Sequence, residues 1–452
     1  MREHGRAPLT YYPQAGKRAF DLMVAADYFA LAIVAILNQK VIRMYQAINA
    51  CRICDSRELD SILHLGNQCF TGIFPKNPDE PLSSAPLEIM KCAKCGLIQL
   101  HHNFEPSMLY GPTYGYRSGL NKSMVEHLRA KAAHLQKIRP LKSGDTVLDI
   151  GCNDGTSLGF YPADVTRAGF DPSAEKFRKY YQPGVQLVVD FFSAKTFQQQ
   201  FGTRKAKIIS SIAMFYDLPS PPAFVEQVRD VLAPDGVWHL EQSYLPLMLK
   251  VNAYDTICHE HLEYYALKQI KWLTDKFALK IIDVQLNDSN GGSFAVTVAH
   301  KNSTFPEATA VIEKFLREEK ELGLDTVAGF EPFKQRVNKH REELPAKLLE
   351  IQRSGKLALG YGASTKGNVV LQYCGITPKL LPAILEVNPD KFGCFTPGSK
   401  IPIISETEGH ARNPDFLMVM PWHFKANVMQ REAAYLKRGG KLLFPLPEIY
   451  TV

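Results

Sequence analysis

Val147-Leu148-Asp149-Ile150-Gly151-Cys152-Asn153-Asp154-Gly155-Thr156-Ser157-Leu158-Gly159 is the stretch whose reading decides the fold. Val147, Leu148 and Ile150 form a short apolar run that suits a buried strand. Gly151, Asn153 and Gly155 then make a turn, and a helix is expected from Thr156. Glycine has no Cβ and tolerates positive φ, so such a turn lets backbone approach a nucleotide-like ligand. A helix N-terminus beyond it attracts a carboxylate or phosphate. The pattern is G-x-N-x-G, not the G-x-G-x-x-G of dinucleotide binders, which argues against NAD.

Outward from this turn the chain repeats the same logic. Ala168-Gly169-Phe170-Asp171 reads as a second strand ending in an acid, placed where ribose hydroxyls would be held. Leu187-Val188-Val189-Asp190-Phe191-Phe192 is a third step, with aromatics suited to flank an adenine. Ile208–Ile212 follows, then a helix from Pro222. Leu232–Glu241, L-A-P-D-G-V-W-H-L-E, reads as a helix stop, a tight turn and a strand. The series resembles the class I S-adenosylmethionine (SAM)-dependent methyltransferases over roughly Leu141–His300. That resemblance implies a SAM site built from Asp149, Gly151, Asn153, Gly155, Asp171, Asp190 and Phe191.

The chain has 452 residues, enough for about three domains. Its 45% hydrophobic and 22% charged content is that of a globular protein. The net charge of +7 is spread along the chain and gives no basis for nucleic-acid binding. Nine cysteines, an odd count, favour a reducing cytoplasm with metal-bound thiolates over a disulfide framework. Two C-x-x-C pairs, Cys51/Cys54 and Cys92/Cys95, each place two thiolates on one turn and together complete a tetrahedral zinc site. Four thiolates leave no open position, so this zinc is expected to be structural. His64, His101 and His102 are read as surface or packing residues.

Residues 1–44 form an N-terminal extension. Phe20–Leu37 is an apolar helical stretch that Asp21 and Asp27 interrupt, so a membrane span is not expected. It lacks a small-residue cleavage site, and Met44 is an alternative start. Residues 45–105 form the zinc module, and 106–140 a Tyr-rich loop and connecting helix. The loop, Leu109–Asn121, concentrates tyrosines, glycines and Arg117 without periodicity, which suits either a functional loop or a rigid connector. The SAM-binding domain is expected over 141–303, a helical linker over 304–352, and a last domain over 353–452.

Tyr254–Tyr265 is the densest chemical cluster, centred on Cys258-His259-Glu260-His261. A zincin needs H-E-x-x-H, which puts both histidines on one helix face. Here they stand two apart and point to different faces. An acid/base pair is the more natural reading, since a Glu beside a His holds one tautomer and tunes its pKa. The alternative is a polar loop capping a helix. In the last hundred residues, Gly360-Tyr361-Gly362-Ala363-Ser364-Thr365-Lys366-Gly367-Asn368 is a glycine turn leading into a helix. It predicts a second doubly wound domain whose turn holds an anion, with Lys366 as a point charge on a phosphate. No Walker pattern is present, and a purely structural nucleotide fold is the alternative.

From about Tyr45 onward the chain resembles the sugar C-methyltransferases of deoxysugar pathways. The resemblance rests on the C-x-x-C pairs, Y-G-Y-R-S-G, I-G-C-N-D-G, C-H-E-H-L-E-Y-Y, N-G-G-S and G-Y-G-A-S-T-K-G-N, in that order. It implies an α/β architecture: a class I methyltransferase Rossmann-like domain between a small zinc module and a second Rossmann-like domain. It also implies carbon methylation of a nucleotide-linked keto-deoxysugar through an enolate. His261 would be the base, with Glu260 and His259 in the same cluster, and Tyr114 and Tyr116 would donate to the keto oxygen. Arg117, Tyr216, Asn290, Lys366 and Asn368 would bind substrate. The chain departs from the family at three places. Cys258 stands where members often carry Tyr, Phe215-Tyr216-Asp217 where they often carry a His, and Phe294-Ala295 where an Arg is common. An NAD-dependent nucleotide-sugar oxidoreductase or epimerase lacks its Tyr-x-x-x-Lys dyad near the first domain. A non-catalytic scaffold of a polysaccharide pathway has no use for the His-Glu-His cluster.

Overall fold

Along Ser84–Cys92, buried side chains alternate with partly exposed ones, the period-two pattern of a strand with one face in a core. This strand, β2, pairs antiparallel with β1 (Leu59–Cys69) and with β3 (Ile98–Leu100). The computed structural model describes residues 45–110 and 115–452. The expectations for residues 1–44 and for Tyr114 lie outside the described residues. Residues Ala47–Val452 form one compact unit.

Helix α1 (Lys122–Ile138) starts where Asn121 Oδ1 accepts from Ser123 N at 3.0 Å, a side-chain cap for an otherwise orphaned donor. It leads into a seven-stranded sheet. Its strands are β4 (Thr146–Ile150), β5 (Thr166–Phe170), β6 (Val185–Val188), β7 (Ala206–Ile212) and β8 (Leu232–Ser243), later joined by β10 (Leu279–Asn287) and β11 (Ser293–His300). The order is β10-β11-β8-β7-β4-β5-β6, and β11 alone runs antiparallel to its neighbours. All five residues of β4 are buried, as a central parallel strand covered on both faces requires. The order reverses on either side of β4, so the crevice beyond its C-terminal end is the place where such sheets take ligands.

Two local expectations are corrected. The helix expected from Thr156 is only a 3-10 turn at Leu158–Phe160. Asp154 Oδ1 takes Thr156 N (3.2 Å) and Thr156 Oγ1 (2.6 Å), local bonds that compete with a helical ladder. The Pro234-Asp235-Gly236 turn is a bulge inside β8, where the register with β7 shifts between Leu232 and Val237.

After β8 and helix α2 (Leu245–Lys250) the chain leaves the sheet. Strand β9 (Glu263–Tyr264) pairs instead with β3 of the cysteine module, Glu263 opposite Gln99 and Tyr264 opposite Ile98. Helices α3 (Leu267–Lys276), α4 (Thr309–Glu321) and α5 (Glu331–Arg353) then lead to a second sheet. It consists of β12 (Ala358–Tyr361), β13 (Ile384–Glu386), β14 (Ile403–Ser405), β15 (Phe416–Val419), β16 (Lys441–Phe444) and β17 (Tyr450–Thr451), with helix α6 (Thr365–Tyr373) after β12. The order β14-β13-β12-β15-β16-β17 is parallel except for β17.

Glu319 of α4 fastens this connection to the first sheet. Its buried carboxylate accepts from Tyr244 Oη (2.7 Å), Leu267 N (2.6 Å) and Lys268 N (3.1 Å), capping α3 from a distant helix. Glu319→Ala leaves these donors without an acceptor and should cost about 3 kcal/mol, whereas Glu319→Gln should cost about 1. Urea unfolding followed by tryptophan fluorescence checks both values.

Candidate active site and cofactor sites

The four thiols predicted to hold zinc converge. Cys51 Sγ lies 3.5 Å from Cys95 Sγ and Cys54 Sγ lies 3.6 Å from Cys92 Sγ, with all four atoms within 4.8 Å of one another. A zinc tetrahedron with Zn–S near 2.3 Å has S···S edges of about 3.8 Å, so the residues fit the metal. His64, His101 and His102 stay out of the thiol cluster, and His101 pairs with Glu88 at 2.8 Å.

Arg52, inside the first C-x-x-C, is buried and carries the module's influence outward. Its guanidinium donates to Leu100 O (2.6 Å), His102 O (2.9 Å) and Leu262 O (3.5 Å), and lies 3.5 Å from the Glu263 carboxylate. The zinc knuckle thus grips the residue that follows His261. The sequence reading missed Arg52; its place between two metal ligands was the signal available.

At the crevice beyond β4, Gly151, Asn153 and Gly155 all have positive φ, 77°, 50° and 75°. A Cβ on Gly155 would stand 2.6 Å from the Tyr181 ring, so both conformation and space demand glycine there. Asp171 Oδ2 accepts from Asn153 N (2.9 Å), and its Oδ1 accepts from Ser173 N (2.7 Å) and Ser173 Oγ (2.6 Å). Asp149 accepts from Ser210 Oγ at 2.6 Å, and burial pushes its carboxyl up to about 7. Asp190 and Phe191 follow β6 on the rim, with Phe191 51% exposed. A turn free to approach a ligand, an acid ending β5 and an exposed aromatic after β6 fit a nucleoside-bearing cofactor.

The described part of the Tyr-rich loop docks on this turn. Asn153 Nδ2 donates to Tyr116 O (3.2 Å), Ser118 N to Asn153 Oδ1 (2.9 Å) and Gly119 N to Asp154 Oδ2 (2.9 Å). Tyr116 keeps its side chain half exposed. Arg117 stacks on the Tyr180 ring at 4.0 Å, so the structure ties it to the protein surface beside the turn.

The His-Glu-His segment divides, its two imidazoles facing apart as expected, though through a turn and not a helix. His259 turns to the cysteine module, edge-on to Phe70 (4.7 Å) and Phe104 (4.9 Å), with Nε2 3.2 Å from Ala85 O. This separates it from Glu260 and His261, with which the sequence groups it: a turn closed by His261 N donating to Cys258 O at 3.1 Å sends the two imidazoles apart, and His259 anchors the segment. His261 turns the other way. Its Nδ1–H donates to Thr256 O at 2.8 Å, and its ring packs on Tyr216 at 4.2 Å. Burial and the Lys366 ammonium push His261 down to about 3, and burial pushes Glu260 up to about 7. The Cys258 thiol, which the sequence reading noted only as a departure, joins Glu260 and His261.

The C-terminal glycine turn departs from its expected role. Glu386 Oε2 accepts from Ala363 N at 2.9 Å and Ser364 Oγ from Gly367 N at 3.0 Å, so the chain's own groups occupy these donors. A Cβ on Gly362 would stand 2.8 Å from Pro421, so the turn requires glycine there. Glu386 thus holds this turn as Asp171 holds the turn after β4. Lys366 turns instead to the methyltransferase domain, where Nζ donates to Asn290 O at 3.0 Å. Asp255, which accepts from Trp422 Nε1 at 2.8 Å, is the carboxylate whose charge offsets the loss of Lys366 solvation. Asn368 is buried and donates to Thr71 O at 2.8 Å. The next residue, Gly72, is so close to Glu260 that a Cβ would stand 2.8 Å from Oε1. Tyr216, Asn290 and Lys366 are therefore grouped about His261 and Glu260, while Arg117 is not and Asn368 acts through Thr71.

Comparison with known proteins agrees with this geometry. Residues 51–110 match a zinc binding domain, 124–284 a methyltransferase domain and 288–447 the C-methyltransferase C-terminal domain. The C-methyltransferase NovU of Streptomyces niveus is 29% identical over 406 residues, which cover 89% of this chain and 96% of that protein. Among solved structures, magnesium protoporphyrin IX methyltransferase of Synechocystis PCC 6803 with bound SAM is 14% identical, covering 39% of this chain and 78% of its own, with a TM-score of 0.28. The Burkholderia thailandensis 1,6-didemethyltoxoflavin-N1-methyltransferase is 12% identical over the same shares, with a TM-score of 0.29. The protein is a SAM-dependent methyltransferase with a structural zinc. More narrowly, its three modules match the zinc binding, methyltransferase and C-methyltransferase C-terminal domains in that order along the chain. Among the described residues, no helix is long and apolar enough to cross a membrane.

Two outcomes follow. In calorimetric titrations SAM should bind and NAD should not, and Asp171→Ala should weaken SAM by about 10- to 100-fold, the worth of hydrogen bonds to a charged acceptor. Stripping the zinc with a chelator should abolish turnover while SAM binding persists, because the metal supports the His261 segment and not the turn at β4.

Proposed function

We propose that the enzyme methylates a ring carbon of a nucleotide-linked keto-deoxysugar, and that His261 and Glu260 generate the nucleophile as an enolate. The observation that carries this reading is the 2.8 Å bond from His261 Nδ1 to Thr256 O. A carbonyl only accepts, so the bond fixes the tautomer and leaves the Nε2 lone pair for a proton. The held-down pKa keeps that nitrogen unprotonated before substrate arrives.

In the proposed reaction Nε2 removes the proton alpha to the ketone, and the C–H electron pair moves to the keto oxygen. Tyr116, from the docked loop, donates to that oxygen, and the Lys366 ammonium stabilises its growing charge. Ionised Glu260 supports the imidazolium as it forms. SAM, when bound at the β4 turn, supplies the electrophilic methyl group that the enolate carbon takes. The nearly solvent-free walls around His261 strengthen each of these charge interactions.

The pH dependence follows from Glu260. Its carboxyl sits at about 7, above the usual carboxylate range, so it is ionised only above that pH. Proton exchange at the substrate carbon should therefore fall as the pH drops below 7. Glu260→Gln should remove this limb and lower the rate by about 100-fold or more. His261→Asn should abolish solvent deuterium exchange at the substrate carbon in the absence of SAM. Exchange that persists in His261→Asn contradicts the assignment of the base.

A further inference from the structure

Among the described residues, two clusters bring metal-ligating atoms together: the four module thiols, and Cys258 with Glu260 and His261. In the second, one atom from each residue lies within 4.8 Å of the other two. Thiol, carboxylate and imidazole are the three donor types that Zn2+ accepts, and three protein ligands leave the fourth position open.

The surroundings favour a metal in two further ways. His261 is oriented by the Thr256 carbonyl on its other nitrogen, the outer-shell contact that metal-bound histidines commonly make. Thiolate and carboxylate together balance a dication. The nearby Lys366 ammonium is engaged by Asn290 O and faces Asp255, which offsets its repulsion.

We propose that Cys258, Glu260 and His261 form a second zinc site, open at its fourth position, and that zinc bound there blocks methyl transfer. The His261 nitrogen that binds the ion is the one that takes the proton, so occupancy of the site and proton abstraction exclude each other. The blocking half rests on His261 being the base, as proposed above; the binding half stands on the ligand geometry alone.

The test uses the full chain carrying its module zinc. Zn2+ is titrated against a chromophoric chelator, and Co2+ is followed by its thiolate-to-metal charge-transfer absorption. The wild type should take a second equivalent. Cys258→Ser and His261→Asn should each lose it by more than the roughly 10- to 100-fold that loss of an outer-shell partner costs. Retention of the first equivalent and of SAM binding shows that each variant is folded. A wild type that saturates at one zinc overturns the site, as does a second zinc that persists in both variants. A second zinc that leaves deuterium exchange at the substrate carbon unslowed overturns the blocking. Absence of exchange in the zinc-free second site contradicts the base assignment and leaves the zinc count unaffected.

Discussion

The site depends on one buried arginine. Arg52 lies between two zinc ligands and holds the carbonyls of Leu100 and Leu262, so a metal knuckle sets the backbone one residue beyond His261. A guanidinium removed from water is costly unless its donors are met, and here five acceptors meet it, Gln99 at 3.4 Å and Asn103 at 2.8 Å among them. The strand Glu263–Tyr264 extends the same connection by pairing with Ile98–Gln99. Zinc therefore acts at a distance. It leaves no open coordination position, but fixes the segment that carries Glu260 and His261.

The C-terminal sheet closes the site from the other side. Its glycine turn has the shape of a nucleotide loop, with Glu386 accepting from Ala363 N as Asp171 accepts from Asn153 N. Helix α6 uses its first turn to reach the rest of the chain. Lys366 enters the methyltransferase domain at Asn290, and Asn368 grips Thr71 beside the residue that lies on Glu260. Three modules thus meet at one pair of side chains. The cofactor crevice is built on β4 and β5, and that pair on the segment after helix α2.

Much of this was legible in the sequence where chemistry is local. The strand at Val147–Ile150, its glycine turn, the acid at Asp171 and the two cysteine pairs all depend on neighbours within a few residues, and the structure keeps them. The two-residue spacing of His259 and His261 implies facing apart only on a helix, and the chain achieves it with a turn closed by His261 N to Cys258 O. What stayed hidden depends on long-range contacts. Nothing near Arg52 reveals that it reaches Leu262, and nothing near Gly362 reveals Pro421 packed on it. The helix expected after Gly155 failed for a local reason, since Asp154 bonds Thr156 in place of the ladder. Lys366 is legible as a cation after a glycine turn, but its bond to Asn290 O, far off in the chain, is not.

The central claim, that this protein places a methyl group on carbon through an enolate, is tested most directly with SAM carrying a 13C-labelled methyl group. The enzyme is incubated with a nucleotide-linked keto-deoxysugar and the product is read by carbon–proton correlation NMR. The account predicts a methyl group attached to the carbon next to the keto group, at a chemical shift typical of methyl on carbon, with loss of the proton that carbon carried. A methyl group on oxygen or nitrogen, with that proton retained, would contradict it.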